Sequence, residues 1–196
     1  MRLTVFGGAF DPLHNGHVDI VNYLLAVSPL DRLVIVPTGE PVHKDATFFE
    51  SDLRHQMLNA VFNGNDMIDI SDVETSKSGP SYSIDTIHHL SDKYQPDNIT
   101  LVVGFDQLYQ FHRWRSYEEI LQKCRLLVIL RRGIDHERLM SYFPKELVPF
   151  KQSIRIHEMY PTAISSSRLR IMIQRHQPIN DYVPEAVRLI IQQNQL

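Results

Sequence analysis

Apolar residues along this chain fall into short unbroken runs, separated by segments in which they recur every three or four positions. The runs are Leu3–Val5–Phe6, Leu33 to Val36, Ile99 to Val103 and Leu126 to Leu130. A continuous run suits a strand covered on both faces, as in parallel sheets. Met67 to Val73 alternates apolar and polar residues and predicts a strand nearer a sheet edge. Ser153 to His157 predicts a last short strand. Helical stripes lie between these runs. Val18, Val21, Leu24, Leu25 and Val27 mark a helix from His17 to Val27. Leu53, Met57, Leu58 and Val61 mark Ser51 to Phe62, and Ile84, Ile87 and Leu90 mark Ser83 to Lys93. Further helices are expected at Tyr117 to Lys123, Asp135 to Tyr142 and Ser165 to His176, and from Pro184 onward. Phe143 to Phe150 holds two prolines and is expected to be irregular. Strands alternating with helices predict an α/β fold, with a central parallel sheet and helices on both faces. A small helical C-terminal part covers about 160–196. At 196 residues the chain is expected to form one domain spanning 1–196.

Composition changes this picture little. Hydrophobic residues make up 43% and charged residues 22%, as in an ordinary globular protein. The formal net charge of −3 argues against a non-specific nucleic-acid binder, which needs a basic face. Cys124 is the single cysteine, so no internal disulfide forms and a reducing compartment fits. It borders an apolar run and reads as a buried structural thiol. No basic segment with an apolar signal core opens the chain, and no apolar stretch approaches the roughly 20 residues that span a bilayer. A cytoplasmic protein without membrane contact is expected. The choice between monomer and homo-oligomer stays open.

The chemistry concentrates in two stretches. The first runs from Met1 to Asp19, where a strand ends in Gly7-Gly8, Asp11-Pro12 turns the chain, and His14-Asn15-Gly16-His17 opens a helix. A strand, a glycine turn and a helix N-terminus make an anion site, through free backbone N–H groups and the helix dipole. His14 and His17, three apart, face the same way. The stretch lacks both the third glycine of a dinucleotide fingerprint and the Gly-Lys-Ser/Thr of a P-loop. A zinc pair competes with the anion reading, but no cysteine or carboxylate stands at ligand spacing. The second stretch is Ile164-Ser165-Ser166-Ser167-Arg168-Leu169-Arg170. Serines at a helix start offer hydroxyls and free amides to an anion, and Arg170 adds a bidentate phosphate contact. Taken alone, the same residues also describe a well-capped surface helix.

Together GGAFDPLHNGH (7–17) and ISSSRLR (164–170) resemble the two signatures of the HxGH nucleotidyltransferases. The likeness extends through PTGEPVHK (37–44), GPSYSIDT (79–86), Gly104-Phe105-Asp106, HRWRSYEEI (112–120) and RRG (131–133), nearly end to end. The resemblance implies a Rossmann-like three-layer fold. It implies an enzyme that transfers AMP from ATP to nicotinate mononucleotide, giving deamido-NAD and pyrophosphate in NAD biosynthesis, with Mg²⁺. It places His14, His17, Lys44 and Arg170 in catalysis. Gly7, Gly8, Phe10, Gly104, Asp106, Ile164, Ser165, Ser166 and Ser167 join His14, His17 and Arg170 around ATP. Lys44, Tyr82, Ser83, Trp114 and Arg115 face the acceptor, with Trp114 stacked on its ring. Ser83 and Ser167 stand where the family has threonine, and each keeps a hydroxyl.

This chemistry explains what the sequence lacks. A phosphate acceptor is already nucleophilic at neutral pH, so neither a general base nor a covalent intermediate is needed. Catalysis rests on positioning and on stabilising charge. Mg²⁺ is expected to be held mainly by the ATP phosphates, with no protein carboxylate cage. The same signatures also serve other acceptors, among them nicotinamide mononucleotide, phosphopantetheine, glycerol phosphate and phosphocholine. A nucleotide-binding module without turnover is the non-enzymatic alternative.

Overall fold

Strand interiors carry the core. Leu3, Val5, Leu33 to Val36, Val102, Leu126 and Val128 are almost wholly buried. In a computed structural model of the chain, the described residues are 1–39, 47–131 and 143–194. The expected helix at 135–142, Lys44, Arg132 and Gly133 lie outside them.

The strands are β1 (Arg2–Gly8), β2 (Arg32–Pro37), β3 (Ile68–Ile70), β4 (Asn98–Gly104), β5 (Cys124–Arg131) and β6 (Ile154–Met159). They form a six-stranded sheet in the order β3-β2-β1-β4-β5-β6. β1 pairs with β4, β4 with β5 and β5 with β6, all parallel. Val5 lies opposite Leu101, and Leu101 opposite Leu126, so branched apolar residues stack across neighbours. The helices are α1 (Asn15–Val27), α2 (Ser51–Phe62), α3 (Ser83–Tyr94), α4 (Phe105–Gln110), α5 (Tyr117–Lys123), α6 (Ser166–Gln174) and α7 (Glu185–Gln193). This is the Rossmann-like α/β architecture expected from the alternating pattern. Among the described residues no helix is long and apolar enough to cross a membrane.

Several boundaries differ from the sequence expectation. β3 is three residues long rather than seven, and it lies at the sheet edge as its alternation implied. The aromatic stretch after β4 forms α4 and a 3-10 turn at Phe111–Arg113. Most of the stretch expected to be irregular, 143–150, lies in a 3-10 helix, Lys145–Ser153, around Pro149. Pro184 sits at the N-cap of α7, one residue before the first helical position assigned to it.

The chain forms two compact units. The first comprises Met1–Gly7, Leu30–Leu33 and Tyr82–Tyr160. In it α3 packs against α5, and His88 Nε2 lies 2.8 Å from Glu119 Oε1. Cys124 is buried there, and burial pushes its thiol up to about 12, which makes it an inert packing residue. The second unit comprises Gly8–Pro29, Val34–Ser81 and Pro161–Leu196. In it α2 packs against α7, whose Val187 and Ile191 are buried one turn apart.

The start of β1 is fixed by charge as well as by pairing. Asp31 accepts from the Arg2 amide at 2.7 Å and from Arg2 Nη2 at 2.6 Å. The hydrogen bond from the Arg2 guanidinium lowers the Asp31 carboxyl from 3.8 to about 2. A carboxylate held below its unfolded value stabilises the fold above that value, and loses the contribution as pH falls through the folded one. The Tm gap between wild type and Asp31→Asn should therefore be constant above about pH 5 and close between roughly pH 4 and 2. Thermal scans across that range check it; a gap unchanged down to pH 2 would contradict the pairing.

Candidate active site

The loop after β1 is built around Asp11. Its side chain is 4% exposed, yet both carboxylate oxygens are used. Oδ1 accepts from the Phe49 amide at 2.8 Å and Oδ2 from the Phe48 amide at 2.9 Å. Arg170 of α6 donates through Nη1 to the Asp11 carbonyl at 2.9 Å, and Nη1 lies 3.5 Å from Asp11 Oδ2. Arg54 of α2 supplies the second cation. It is 2% exposed and donates to the carbonyls of Phe49 (3.2 Å), Ala9 (2.9 Å) and Thr38 (2.8 Å). Burial lowers the Arg54 pKa, and the charges of Asp11 and Glu50 oppose that loss. The ends of β1 and β2 are thus tied by one buried guanidinium, and the Thr38 amide also donates to the Gly8 carbonyl at 2.8 Å.

The two histidines stand on this loop. His14 is the N-cap of α1, and its Nδ1 accepts from the His17 amide at 3.3 Å. An accepting Nδ1 in a neutral imidazole leaves the proton on Nε2, which makes Nε2 the donor. The His14 and His17 rings stack with centroids 3.6 Å apart, and Phe10 meets His17 edge-on at 5.0 Å. Phe10 has φ 48°, a left-handed conformation. A Cβ on Gly8 would lie 3.1 Å from its ring, so the glycine leaves room for the aromatic under the histidines.

The second signature meets the first within the same unit. Ser165 caps α6, its Oγ accepting from the Arg168 amide at 3.3 Å. Ser166 Oγ donates to the Pro12 carbonyl at 3.2 Å. Ser167 Oγ accepts from Arg170 Nη2 at 3.1 Å. Sequence reasoning gave all three hydroxyls to an anion, and the geometry separates them. Ser165 and Ser167 keep an O–H proton to donate, whereas Ser166 has given its proton to Pro12. Ile164 is buried behind them. In addition, the Asn15 amide donates to the Tyr182 carbonyl at 2.8 Å and its side chain to the Asp181 carbonyl at 3.1 Å.

The acceptor candidates belong to the other unit. Tyr82 caps α3 and Ser83 is its first residue. The Arg115 guanidinium lies 4.7 Å over the Tyr82 ring. Trp114 is half-buried, stacks on Phe111 at 4.7 Å and donates its amide to the Phe111 carbonyl. Gly104 caps α4, where a Cβ would lie 2.6 Å from Asp106 Oδ1. Lys44 lies outside the described residues. Among those residues, no three His, Cys, Asp or Glu side chains gather to hold a metal.

The sequence reading takes Asp11-Pro12 only as a turn and names no partner for the Asp11 carboxylate. A signal for Arg54 was present: it stands three and four residues before Met57 and Leu58, on the apolar face of α2.

The profile of the cytidylyltransferase-like family matches residues 5–172. The "Probable nicotinate-nucleotide adenylyltransferase" of Clostridium tetani is 32% identical over 192 residues, covering 97% of this chain and 96% of that protein. The protein of the same name from Thermotoga petrophila is 35% identical over 191 residues, covering 95% and 93%. A solved structure of Plasmodium falciparum nicotinic acid mononucleotide adenylyltransferase, complexed with NaAD, has a TM-score of 0.78 at 20% identity and covers 100% of this chain and 96% of that one. That last likeness concerns the fold. A chain with this sheet and both signatures joined through one loop belongs to the cytidylyltransferase-like family of nucleotidyltransferases. Within it, the relatives that match from end to end are nicotinate-nucleotide adenylyltransferases.

The buried Arg54 tie gives an expected outcome. Arg54→Met leaves the carbonyls of Phe49, Ala9 and Thr38 without their donor and removes a positive charge near Asp11, and should cost about 3–5 kcal/mol in urea denaturation. Adding Asp11→Asn should cost less than the sum of the single changes, because the two charges act on one another. Strict additivity would show that they act apart.

Proposed function

We propose that this chain transfers the adenylyl group of ATP to nicotinate mononucleotide, forming deamido-NAD and pyrophosphate. The observation that carries the reading is the joining of His14–His17 and Ser165–Arg170 by direct hydrogen bonds to Pro12 and Asp11. That junction brings two histidines, a helix N-terminus and an arginine to one loop, the donor set a triphosphate needs. The end-to-end likeness to nicotinate-nucleotide adenylyltransferases supports the acceptor.

In the reaction, an oxygen of the acceptor 5′-phosphate attacks the α-phosphorus of ATP. A new P–O bond forms, the bond to the bridging oxygen breaks, and pyrophosphate leaves with that electron pair. No proton has to be removed from the nucleophile. His17 donates to an α-phosphate oxygen, where negative charge grows, and His14 orients the same phosphates. The first amides of α6, with the Ser165 and Ser167 hydroxyls, hold the β- and γ-phosphates. Arg170 adds positive charge there, and Lys44 has the same role by resemblance. Mg²⁺, when carried on the triphosphate, neutralises part of its charge. Gly7, Gly8, Phe10 and Ile164 shape the phosphate loop, and Gly104 and Asp106 face the nucleotide. Tyr82, Ser83, Trp114 and Arg115 receive the acceptor, with Trp114 against the pyridine ring and the Arg115–Tyr82 stack beside its carboxylate. We assign the reaction to the cytoplasm, a reducing compartment that suits a chain with one cysteine.

The direct test follows pyrophosphate release from ATP with nicotinate mononucleotide and, in parallel, with nicotinamide mononucleotide. Preferential turnover of the nicotinate form is expected, and no release with either would refute the reading. His17→Ala should lower kcat by about 10²-fold, as loss of a transition-state donor does; an unchanged kcat removes His17 from that role. Trp114→Ala should raise the acceptor KM roughly 2- to 10-fold, with the ATP KM unmoved. Steady-state titration of each substrate separates these effects.

A further inference from the structure

The two signatures are joined a second time, at a place neither signature includes. Asp19 lies two residues beyond His17 on α1, and Thr162 two residues before Ile164. Asp19 Oδ2 accepts from the Thr162 amide at 2.7 Å and from the Thr162 hydroxyl at 2.7 Å. The Thr162 carbonyl accepts from the Ile164 amide at 2.8 Å, turning the chain into α6. A Cβ on Gly16 would lie 2.9 Å from that carbonyl oxygen, so the glycine between His14 and His17 admits the Thr162 backbone against α1. Three contacts on one residue therefore fix where the N-terminus of α6 begins relative to the first turn of α1. Charge-assisted bonds of this length are among the stronger ones in proteins.

We propose that Asp19 and Thr162 are positioning residues for the triphosphate: together they hold the Ser165–Ser167 amides at the distance from His17 that a chain of three phosphates requires. The proposal rests on the adenylyl-transfer reading for its substrate. Neither side chain touches the reacting atoms; each acts through the placement of α6. The device is specific in its demand. A ligand with one phosphate engages only one of the two elements, whereas a triphosphate must bridge both.

The test compares two probes by calorimetry, α,β-methylene ATP, which resists cleavage at the α-phosphorus, and AMP. Thr162→Val keeps the shape and removes the hydroxyl, and Asp19→Asn removes the charge. Each should weaken α,β-methylene ATP about 5- to 10-fold, the usual effect of losing one such bond, and leave AMP within about twofold. Thr162→Ser should restore wild-type affinity. Combining Asp19→Asn with Thr162→Val should add little to either alone. In turnover the ATP KM should rise while the acceptor KM stays put. Equal weakening of both probes, or no rescue by serine, would mean a merely structural tie and would overturn the proposal. So would unchanged affinity in both single variants. Wild-type protein that binds the analogue in this pattern yet releases no pyrophosphate would refute the catalytic reading while leaving the strut standing. Failure of the wild type to bind the analogue would overturn both.

Discussion

A buried carboxylate is costly unless its oxygens are filled and its charge is answered. Asp11 meets both conditions, with two backbone amides on its oxygens and with Arg54 and Arg170 as the surrounding cations. Much of the phosphate side of the molecule follows from satisfying that one group. The Phe48–Phe49 amides must come to it, which sets the approach to α2. Arg54 must lie beneath the loop, which ties β1 to β2 through the carbonyls of Ala9 and Thr38. Arg170 must reach across from α6, which carries the serine helix start to the histidines. A loop fixed in this way is already organised before any phosphate arrives, and pre-organised donors are what electrostatic catalysis depends on.

The histidine pair illustrates the same economy of motion. His14 serves as a helix cap and so cannot swing. His17 is held between the His14 ring and the edge of Phe10. The serines divide the work similarly: Ser166 is a tie to Pro12, while its neighbours keep protons to donate. The residues proposed for the acceptor lie in the other unit, where Arg115 rests on Tyr82 and Trp114 on Phe111.

The fold was largely readable from the chain, because interior strands of a parallel sheet must be apolar throughout and helices on its faces must be striped. The helices Ser51–Phe62 and Tyr117–Lys123 match their stripes to the residue. The edge strand β3 was the least well bounded, since a strand paired on one side has few residues that must be apolar. Of the site, the residues with distinctive side chains were legible: His14, His17, Ser165 to Ser167 and Arg170. What holds them was not. Arg54 donates to three backbone carbonyls, Ser166 to another, and Asp11 receives backbone amides. Every residue owns a carbonyl and an amide, so such partners leave no mark in the sequence. Asp19 and Thr162 were missed for the same reason, as their contact is half backbone and spans 143 positions.

That long reach has a consequence for how the molecule comes into being. The tie from Arg170 to Asp11 spans 159 positions, so the histidine loop gains this partner only when two distant parts of the chain meet. Until they meet, the charge of Asp11 is not answered from α6. Closing so long a loop late costs little more entropy than closing a shorter one. It does ensure that the proposed triphosphate site is complete only when both signatures have folded together. Nucleotide binding thereby reports on the completeness of the fold itself.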